Sequence, residues 1–558
     1  MATEHGTQQD GANDSAPRAT DPAMRWDGWG DPARAETLPF AVRALLPLLL
    51  GRLRKPSARP ELTDVRPASS GLAGEDADAF AALLGRSHVR TDAESRIRHA
   101  GGRSTPDLLR RREASQAVPD AVLRPGGHEE VVACLRLASD LDLAVIPFGG
   151  GTSVVGALDP ERGAHRGVVS LDLTRMSELL EYDAVSAEAL FAAGTTGPEA
   201  ERLLAAHGSE LGHFPQSFRY ATLGGFAAAR SSGQNSAGYG RFETMVTGLR
   251  VATPTGDLVL GRSPASAAGP DLIRLFLGSE GIFGVITEVR VRVHPLPAER
   301  IRESWSFTDF GAGVDALRQV AQHGGGPTVL RLSDEAETGV SLAQIGKVGK
   351  ALAKGASAIT VYEGDHDDVV ARRARTAGIL QAAGGTSLGQ EAAEDWQRTR
   401  FDGPYLRDAL LDAGVFCETL ETATTWSRLA ALREAVTSAL TRGFGEVGRK
   451  AFVMCHVSHT YPTGASLYFT VLAPLGADPL DAWAGVKRRV GDAIMAAGGT
   501  ISHHHAVGRD HAPWLAEEIG TTGIRVLAAI KRELDPQAIM NPGAILGAAT
   551  PVPRTGGA

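Results

Sequence analysis

The sequence predicts an α+β fold of several domain-sized units, and three observations predict it. Short apolar runs with strand-like alternation are interleaved with stretches whose apolar residues recur every three or four positions. The length, 558 residues, makes roughly three units at about 100–200 residues per domain. Glycine is abundant, 66 residues, and much of it clusters in loops between 149 and 284 rather than scattering along the chain.

Composition narrows the function classes. The hydrophobic share of 43% and charged share of 22% are those of an ordinary soluble globular protein. With 57 basic against 65 acidic side chains, a formal charge of −8 and no long basic run, nucleic acid is not expected as a partner. Cys134, Cys417 and Cys455 are odd in number and widely spaced, which speaks against a disulfide framework or a zinc ribbon. The most apolar early stretch, Leu38 to Leu50, is interrupted by Arg43 and Pro47 and falls short of the roughly 20 residues of a membrane span. A helix packed on the body is one reading. The other is a helix lying on a lipid surface, with Arg52, Arg54 and Lys55 beside the head groups.

Taken in order, residues 1–23 have almost no large apolar side chain and are expected to be disordered, and 24–115 to be mainly helical. A compact unit spans 116–298. It opens with a helix after Pro125-Gly126-Gly127, on which Val131, Val132, Leu135 and Ala138 share a face. Ala144-Val145-Ile146 reads as a strand ending in three glycines, and Val169 to Leu173 alternates like another. Thr196-Gly197-Pro198-Glu199 reads as a capping box that starts a helix. Val251 to Leu260 reads as a hairpin about Pro254-Thr255-Gly256-Asp257. Val285 to Val293 alternates Val and Thr with Glu288, Arg290 and Arg292, a half-buried strand. Pro295 and Pro297 mark a boundary, after which 299–500 forms a second unit. Its strand candidates are Ala451 to Thr460 and Ala465 to Leu472, followed by a helix through Val486, Val490 and Ile494 that stops at Gly498-Gly499. The segment 501–548 carries a histidine cluster and a last helix, Trp514 to Leu534, and 549–558 is a flexible tail.

Three glycine clusters carry the chemistry. Pro147-Phe148-Gly149-Gly150-Gly151-Thr152-Ser153 follows a strand directly, so that successive main-chain N–H groups can face one anion. It matches neither a P-loop nor a clean Gly-x-Gly-x-x-Gly. Thr222-Leu223-Gly224-Gly225 with Ser231-Ser232-Gly233 is the second cluster, and Gly278-Ser279-Glu280-Gly281-Ile282-Phe283-Gly284 the third. Together they suggest a long ligand, such as a dinucleotide, threaded through several loops.

This ordered set, continued by Val285-Ile286-Thr287-Glu288 and Asn541-Pro542-Gly543, resembles the PCMH-type FAD-binding domain of the vanillyl-alcohol oxidase superfamily. Within it the chain resembles the alkyldihydroxyacetonephosphate synthase family, through Trp26-Asp27-Gly28-Trp29-Gly30, Thr253-Pro254-Thr255-Gly256, Thr460-Tyr461, Leu467-Tyr468-Phe469 and Ser502-His503-His504-His505. The likeness runs from about Met24 to Leu546. It departs at Gln234-Asn235-Ser236-Ala237, where the animal enzymes have a lysine pair, and at Ala506-Val507-Gly508-Arg509 in place of Gly-Val-Gly-Lys; both changes bear on head-group recognition. The resemblance implies a two-subdomain FAD-binding domain with an α/β cap domain built on an antiparallel sheet. It also implies non-covalent FAD, held by Pro147, Gly149, Gly150, Gly151, Thr152, Ser153, Thr222, Gly224, Gly225, Ser231, Gly278, Glu280, Gly281, Gly284, Val285 and Ile286.

The implied reaction exchanges the acyl group of an acyl-dihydroxyacetone phosphate for a long-chain alcohol, without net redox change. Tyr468 matches the family's catalytic tyrosine and Arg407 its phosphate-binding arginine, with Arg509 a second phosphate contact. His503, His504 and His505 would transfer protons and, when charged, hold phosphate. On an extended segment His503 and His505 would share one face and His504 the other. Two other readings of the trio stay open: an internally hydrogen-bonded run, and metal ligation by His503 and His505 with His456 or His459. No metal is assigned. The rival functions are an FAD-dependent 2-hydroxyacid oxidoreductase, whose usual cap metal motif is missing here, and a flavin-binding scaffold without catalysis. A homodimer is left open. No peroxisomal signal stands at the C-terminus, so a cytoplasmic location is expected, with contact at a membrane surface left open.

Overall fold

The computed structural model describes residues 24–547 apart from 36, 39, 55, 57, 114–115 and 345–354. The expected disordered N-terminus, Lys55 and the tail 549–558 lie outside the described residues. The apolar run at Ala144–Ile146 becomes β3 (Leu143–Phe148), which lies at the edge of a four-stranded sheet ordered β1-β2-β4-β3, with β1 (Val89–Arg90), β2 (Ala121–Leu123) and β4 (Gly167–Asp172). The β2, β3 and β4 pairings are parallel, and the crossover between β2 and β3 is the helix His128–Asp140. Even the polar positions of β4, Ser170 and Asp172, are buried, because a parallel sheet is covered on both faces. The stretch 24–115 is not wholly helical: β1 joins this sheet, antiparallel to β2.

A second sheet is antiparallel and ordered β5-β6-β10-β8-β9, from β5 (Leu179–Asp183), β6 (Glu188–Ala192), β8 (Val246–Thr253), β9 (Gly256–Leu260) and β10 (Val285–Arg292). The alternation read in β10 is the observed burial: Val289 and Val291 face the core, whereas Glu288, Arg290 and Arg292 do not. The hairpin β8–β9 turns at Thr253, whose hydroxyl donates to Gly256 O and accepts from Gly256 N. The helix started by Thr196 forms (Gly197–Ala205), but the Thr196 side chain makes no capping bond. A two-residue ribbon pairs β7 (Ser209–Glu210) with β11 (His294–Pro295).

Beyond Pro297 the chain builds a seven-stranded antiparallel sheet, ordered β15-β12-β14-β13-β17-β18-β16. Its strands are β12 (Glu299–Phe307), β13 (Val329–Ser333), β14 (Ala356–Gly364), β15 (Thr386–Gly389), β16 (Val415–Thr425), β17 (Phe452–Thr460) and β18 (Gly464–Pro474). Helices Phe310–His323, Leu429–Glu446 and Pro479–Ala496 share a core with it through Leu317, Leu432 and Val486 against Trp305, Phe416 and Phe469. Four helices matter for the site: α1 (Phe40–Leu50), α2 (Leu223–Ala228), α3 (Gly403–Asp412) and α4 (Ala512–Leu534). The last is not continuous. Gly520 takes φ +76 inside it, a left-handed kink that glycine accommodates without a side-chain clash.

After α4 the chain returns to the first sheet, where Val145 of β3 donates to Ile539 O and accepts from Asn541 N. The turn is held from within by Lys531. Its ammonium, buried with Asp535, donates to Asp535 Oδ2 at 2.7 Å, Met540 O at 2.7 Å and Ile282 O at 2.9 Å. Replacing Lys531 by Met leaves the fully buried Asp535 carboxylate without its counter-charge, with only the amides of Ile539 and Met540 to hold it. Denaturant unfolding should show a loss of about 3–5 kcal/mol, larger than removing the mere methylene packing would cause.

Candidate functional site

Glycine sets how closely the loops approach. A Cβ on Gly150 would overlap Tyr220 O, and one on Gly281 would lie 2.7 Å from Pro147 Cγ, so the three glycine clusters close on one another only without side chains. At the end of β3 the chain leaves the sheet. The main-chain N–H groups of Gly149 to Ser153 find no acceptor among the described residues. Five adjacent donors left without partners form a ready cradle for an anion such as a pyrophosphate. Thr222 caps α2 by accepting from Gly225 N at 3.2 Å.

Glu280 ties this cradle to the rest of the site. It holds φ +47, unusual for a residue with a side chain, and its carboxylate accepts from Val507 N at 3.1 Å and Gly508 N at 2.7 Å. Its carbonyl accepts from Asn541 Nδ2 at 2.8 Å. Burial pushes the Glu280 carboxyl up to about 7, although the two amides oppose the rise. The folded chain therefore keeps a proton that the unfolded chain gives up near the ordinary value of 4.5. Stability falls as pH rises from about 4.5 to 7, by up to about 3 kcal/mol. Glu280→Gln should remove that part of the decline, measured as a flatter unfolding free energy across this window; a slope equal to that of the parent would contradict the assignment.

A cavity of about 640 Å³ runs past these loops. Pro147, Gly149 to Ser153, Thr222, Gly224, Gly225, Ser231, Glu280, Gly281, Gly284, Val285 and Ile286 line it, and so do Arg407, Tyr468, His504 and His505. Val42, Leu45, Leu46 and Leu49 of α1 line it as well. Gly278, His503 and Arg509 do not. Gly278 packs on Arg230. Arg509 spends its terminal nitrogens on Gly156 O, Pro542 O and Asn541 Oδ1, joining chain segments rather than facing the cavity.

The seven-stranded sheet supplies the polar wall. Glu421 of β16, Tyr468 of β18 and His456 of β17 are cross-strand partners in one row. Glu421 is fully buried and gathers the histidine segment: its Oε1 accepts from Ser502 Oγ at 2.9 Å and from the amides of His503, His504 and His505 at 3.0, 2.9 and 2.8 Å. Three successive amides converging on one oxygen require a bent chain, so the expected extended segment is not found. Instead of His503 facing His505, His503 Nδ1 lies 3.0 Å from His504 Nδ1. Burial opposes the Glu421 charge, but His504 and its neighbours hold the carboxyl well below the usual range.

Burial pushes His505 down to about 3 and His503 and His459 well below their ordinary value, with neighbouring imidazoles adding to the effect. His503 and His505 therefore present lone pairs rather than positive charge. The Tyr468 hydroxyl is pushed up to about 12, mainly by burial, and its ring stacks on His456 at 4.8 Å. Arg407, on α3, donates to Asp408 Oδ1 through Nε at 3.2 Å and Nη2 at 3.0 Å, and to Arg103 O. Sequence reasoning missed three further arginines in the lining, Arg103, Arg331 and Arg400. Arg400 is stacked against Phe214, Phe401 and Trp396 at 4.7, 4.9 and 5.8 Å and keeps Nε without a partner. The adjacency of Trp396, Arg400 and Phe401 was the available signal. It also missed Glu421, which no local pattern marks.

A parallel-stranded unit ending in an amide cradle, faced by a large antiparallel sheet across one cavity, defines an FAD-dependent protein of the FAD-linked oxidase kind. The described residues fit the cofactor, since the free N–H groups of Gly149 to Ser153 suit its pyrophosphate. Residues 119–260 match an FAD binding domain and 296–545 the FAD linked oxidases, C-terminal domain. FAD is the cofactor of this chain. An alkyldihydroxyacetonephosphate synthase of Trypanosoma brucei brucei is 31% identical over 94% of this chain and 92% of its own length. One from Dictyostelium discoideum is 31% identical over 93% and 92%. A solved alkyldihydroxyacetonephosphate synthase structure superposes with a TM-score of 0.80 at 29% identity, covering 93% of this chain and 99% of that one. The chain belongs to the alkyldihydroxyacetonephosphate synthase family.

Proposed function

We propose that this protein is an FAD-dependent synthase that exchanges the acyl group of an acyl-dihydroxyacetone phosphate for a long-chain alcohol, releasing the fatty acid and leaving an alkyl ether. One observation carries the reading beyond family membership. A single cavity joins the glycine-loop cradle, a wall of Tyr, His and Arg, and an apolar stretch on α1 suited to an aliphatic chain. Bound FAD would supply an electrophilic ring beside the substrate. Arg407, held by Asp408 and Arg103 O, keeps one in-plane N–H on each of Nη1 and Nη2 for the phosphate. His505, neutral, and Tyr468, protonated at neutral pH, are the groups that exchange protons at the substrate carbon that bears the acyl ester.

Anaerobic mixing of the yellow holoprotein with palmitoyl-dihydroxyacetone phosphate should change the flavin spectrum and release palmitate, and added hexadecanol should yield the ether. Full bleaching by glycolate or D-lactate with no response to the acyl phosphate would establish the hydroxyacid oxidoreductase instead. Within the synthase reading, Arg407→Ala should raise KM for the phosphate substrate with the smaller effect on kcat. Tyr468→Phe should lower kcat on the order of 10²-fold with KM little changed.

The same reading places the protein against a lipid surface through α1. Phe40 and Leu48 are 87% and 77% exposed, on the helix whose Val42, Leu45, Leu46 and Leu49 line the cavity. Arg43 is exposed beside them, and Arg52 and Arg54 follow directly. No helix among the described residues is long and apolar enough to cross a membrane. Phe40→Ser with Leu48→Ser should reduce co-sedimentation with anionic phospholipid vesicles severalfold while the flavin spectrum is retained; undiminished sedimentation would contradict a role for α1.

A further inference from the structure

We propose that His459, His503 and His504 form a binding site for one divalent transition-metal ion of the zinc type, opening on the cavity. The proposal stands on geometry and is independent of which substrate the enzyme uses. One nitrogen from each ring lies within 4.8 Å of the other two. The ring centres form a nearly equilateral triangle, 5.0 Å between His459 and His503, 5.2 Å between His459 and His504, and 5.2 Å between His503 and His504. Around a tetrahedral ion with Zn–N of about 2.0–2.1 Å, three imidazole centres stand about 5 Å apart. The triangle has that size before any ion is present.

The outer contacts orient the rings for the same purpose. His503 Nε2 is taken by Tyr461 Oη at 2.6 Å, which leaves Nδ1 for the cluster. His459 Nδ1 is taken by Ser236 Oγ at 2.7 Å and Ser232 Oγ at 3.3 Å, which leaves Nε2. Ligating histidines characteristically hold their second nitrogen in this way. Glu421 Oε2 lies 3.5 Å from His504 Nδ1 and 4.0 Å from His503 Nδ1, so a buried anion stands beside the cation. His459 and His504 both line the cavity, which gives the ion a route in and leaves its fourth position open to water or a substrate oxygen. The ligand set differs from the one the alternation suggested, because the bend imposed by Glu421 brings His504, not His505, to His503. Each neutral imidazole keeps its one N–H on the nitrogen that does not bind the ion, His503 on the Nε2 that meets Tyr461 Oη, so binding changes no oxidation state.

The test uses flavin-loaded protein stripped of metal by chelator dialysis and titrated with zinc chloride against a chromophoric chelator. One equivalent per chain is expected. His459→Gln should bind at least tenfold more weakly, and His505→Gln should bind like the parent, both retaining the yellow spectrum that reports an intact fold. Failure of the parent to take up one equivalent, or undiminished binding by His459→Gln, overturns the proposal; equal loss in His505→Gln overturns the ligand set. Because uptake is read from the chelator, the result stands whether or not the acyl phosphate proves to be the substrate.

Discussion

The carboxylate of Glu421 is the constraint on which the polar wall of the site depends. A buried carboxylate is costly unless its oxygens are satisfied, and here one side chain accepts the amides of three successive histidines and the Ser502 hydroxyl. The interaction works in both directions. The amides and imidazoles make the charge tolerable, and the charge bends the segment so that three rings point into a small volume. An extended segment would have sent alternate rings to opposite sides. Because Glu421 is also the cross-strand neighbour of Tyr468, and Tyr468 of His456, the register of β16, β18 and β17 carries the histidine loop into line with the tyrosine.

The cofactor side is organised by a different economy. The glycine loops approach so closely that side chains are excluded, and their free amides are left facing the cavity. What joins the two halves is Glu280, whose carboxyl receives the amides of Val507 and Gly508 just beyond the histidines while its carbonyl receives Asn541. A strained φ at that residue is the local cost of placing one side chain between three segments far apart in the chain. The Asn-Pro-Gly turn is thus structural in action: it brings the C-terminal segment against β3 and fixes Glu280 from behind.

Much of this was legible in the sequence, and for physical reasons. Strand periodicity in Val285 to Val293 survives because one face is wet, and glycine clusters survive because close approach tolerates nothing else. Of the expected site residues, the glycines other than Gly278, together with Tyr468, His504 and His505, line one cavity. What sequence could not carry were contacts set by long-range register. Glu421 sits 81 residues from Ser502, Arg400 finds Phe214 only in the fold, and the bend at His503–His505 is imposed from another strand. Arg509 shows the converse: a basic residue beside the histidines looks like a phosphate ligand, yet its donors are taken by main-chain oxygens. The capping motif at Thr196 likewise names the helix start correctly without making the bond that gives the motif its meaning.

The distribution of charge in the cavity follows from burial. Desolvation removes the positive charge from His503 and His505, since burial outweighs the opposing pull of the Glu421 carboxylate and the neighbouring imidazoles add to the loss. A guanidinium does not give up its proton so readily, and Arg331, Arg400 and Arg407 each remain beside a carboxylate or an aromatic face that steadies it. In the function proposed above, proton transfer and anion binding divide between residue types, imidazole and phenol for the first and guanidinium for the second. Such a division would let a phosphorylated substrate be held by charge while the groups nearest its reacting carbon stay neutral and able to exchange protons.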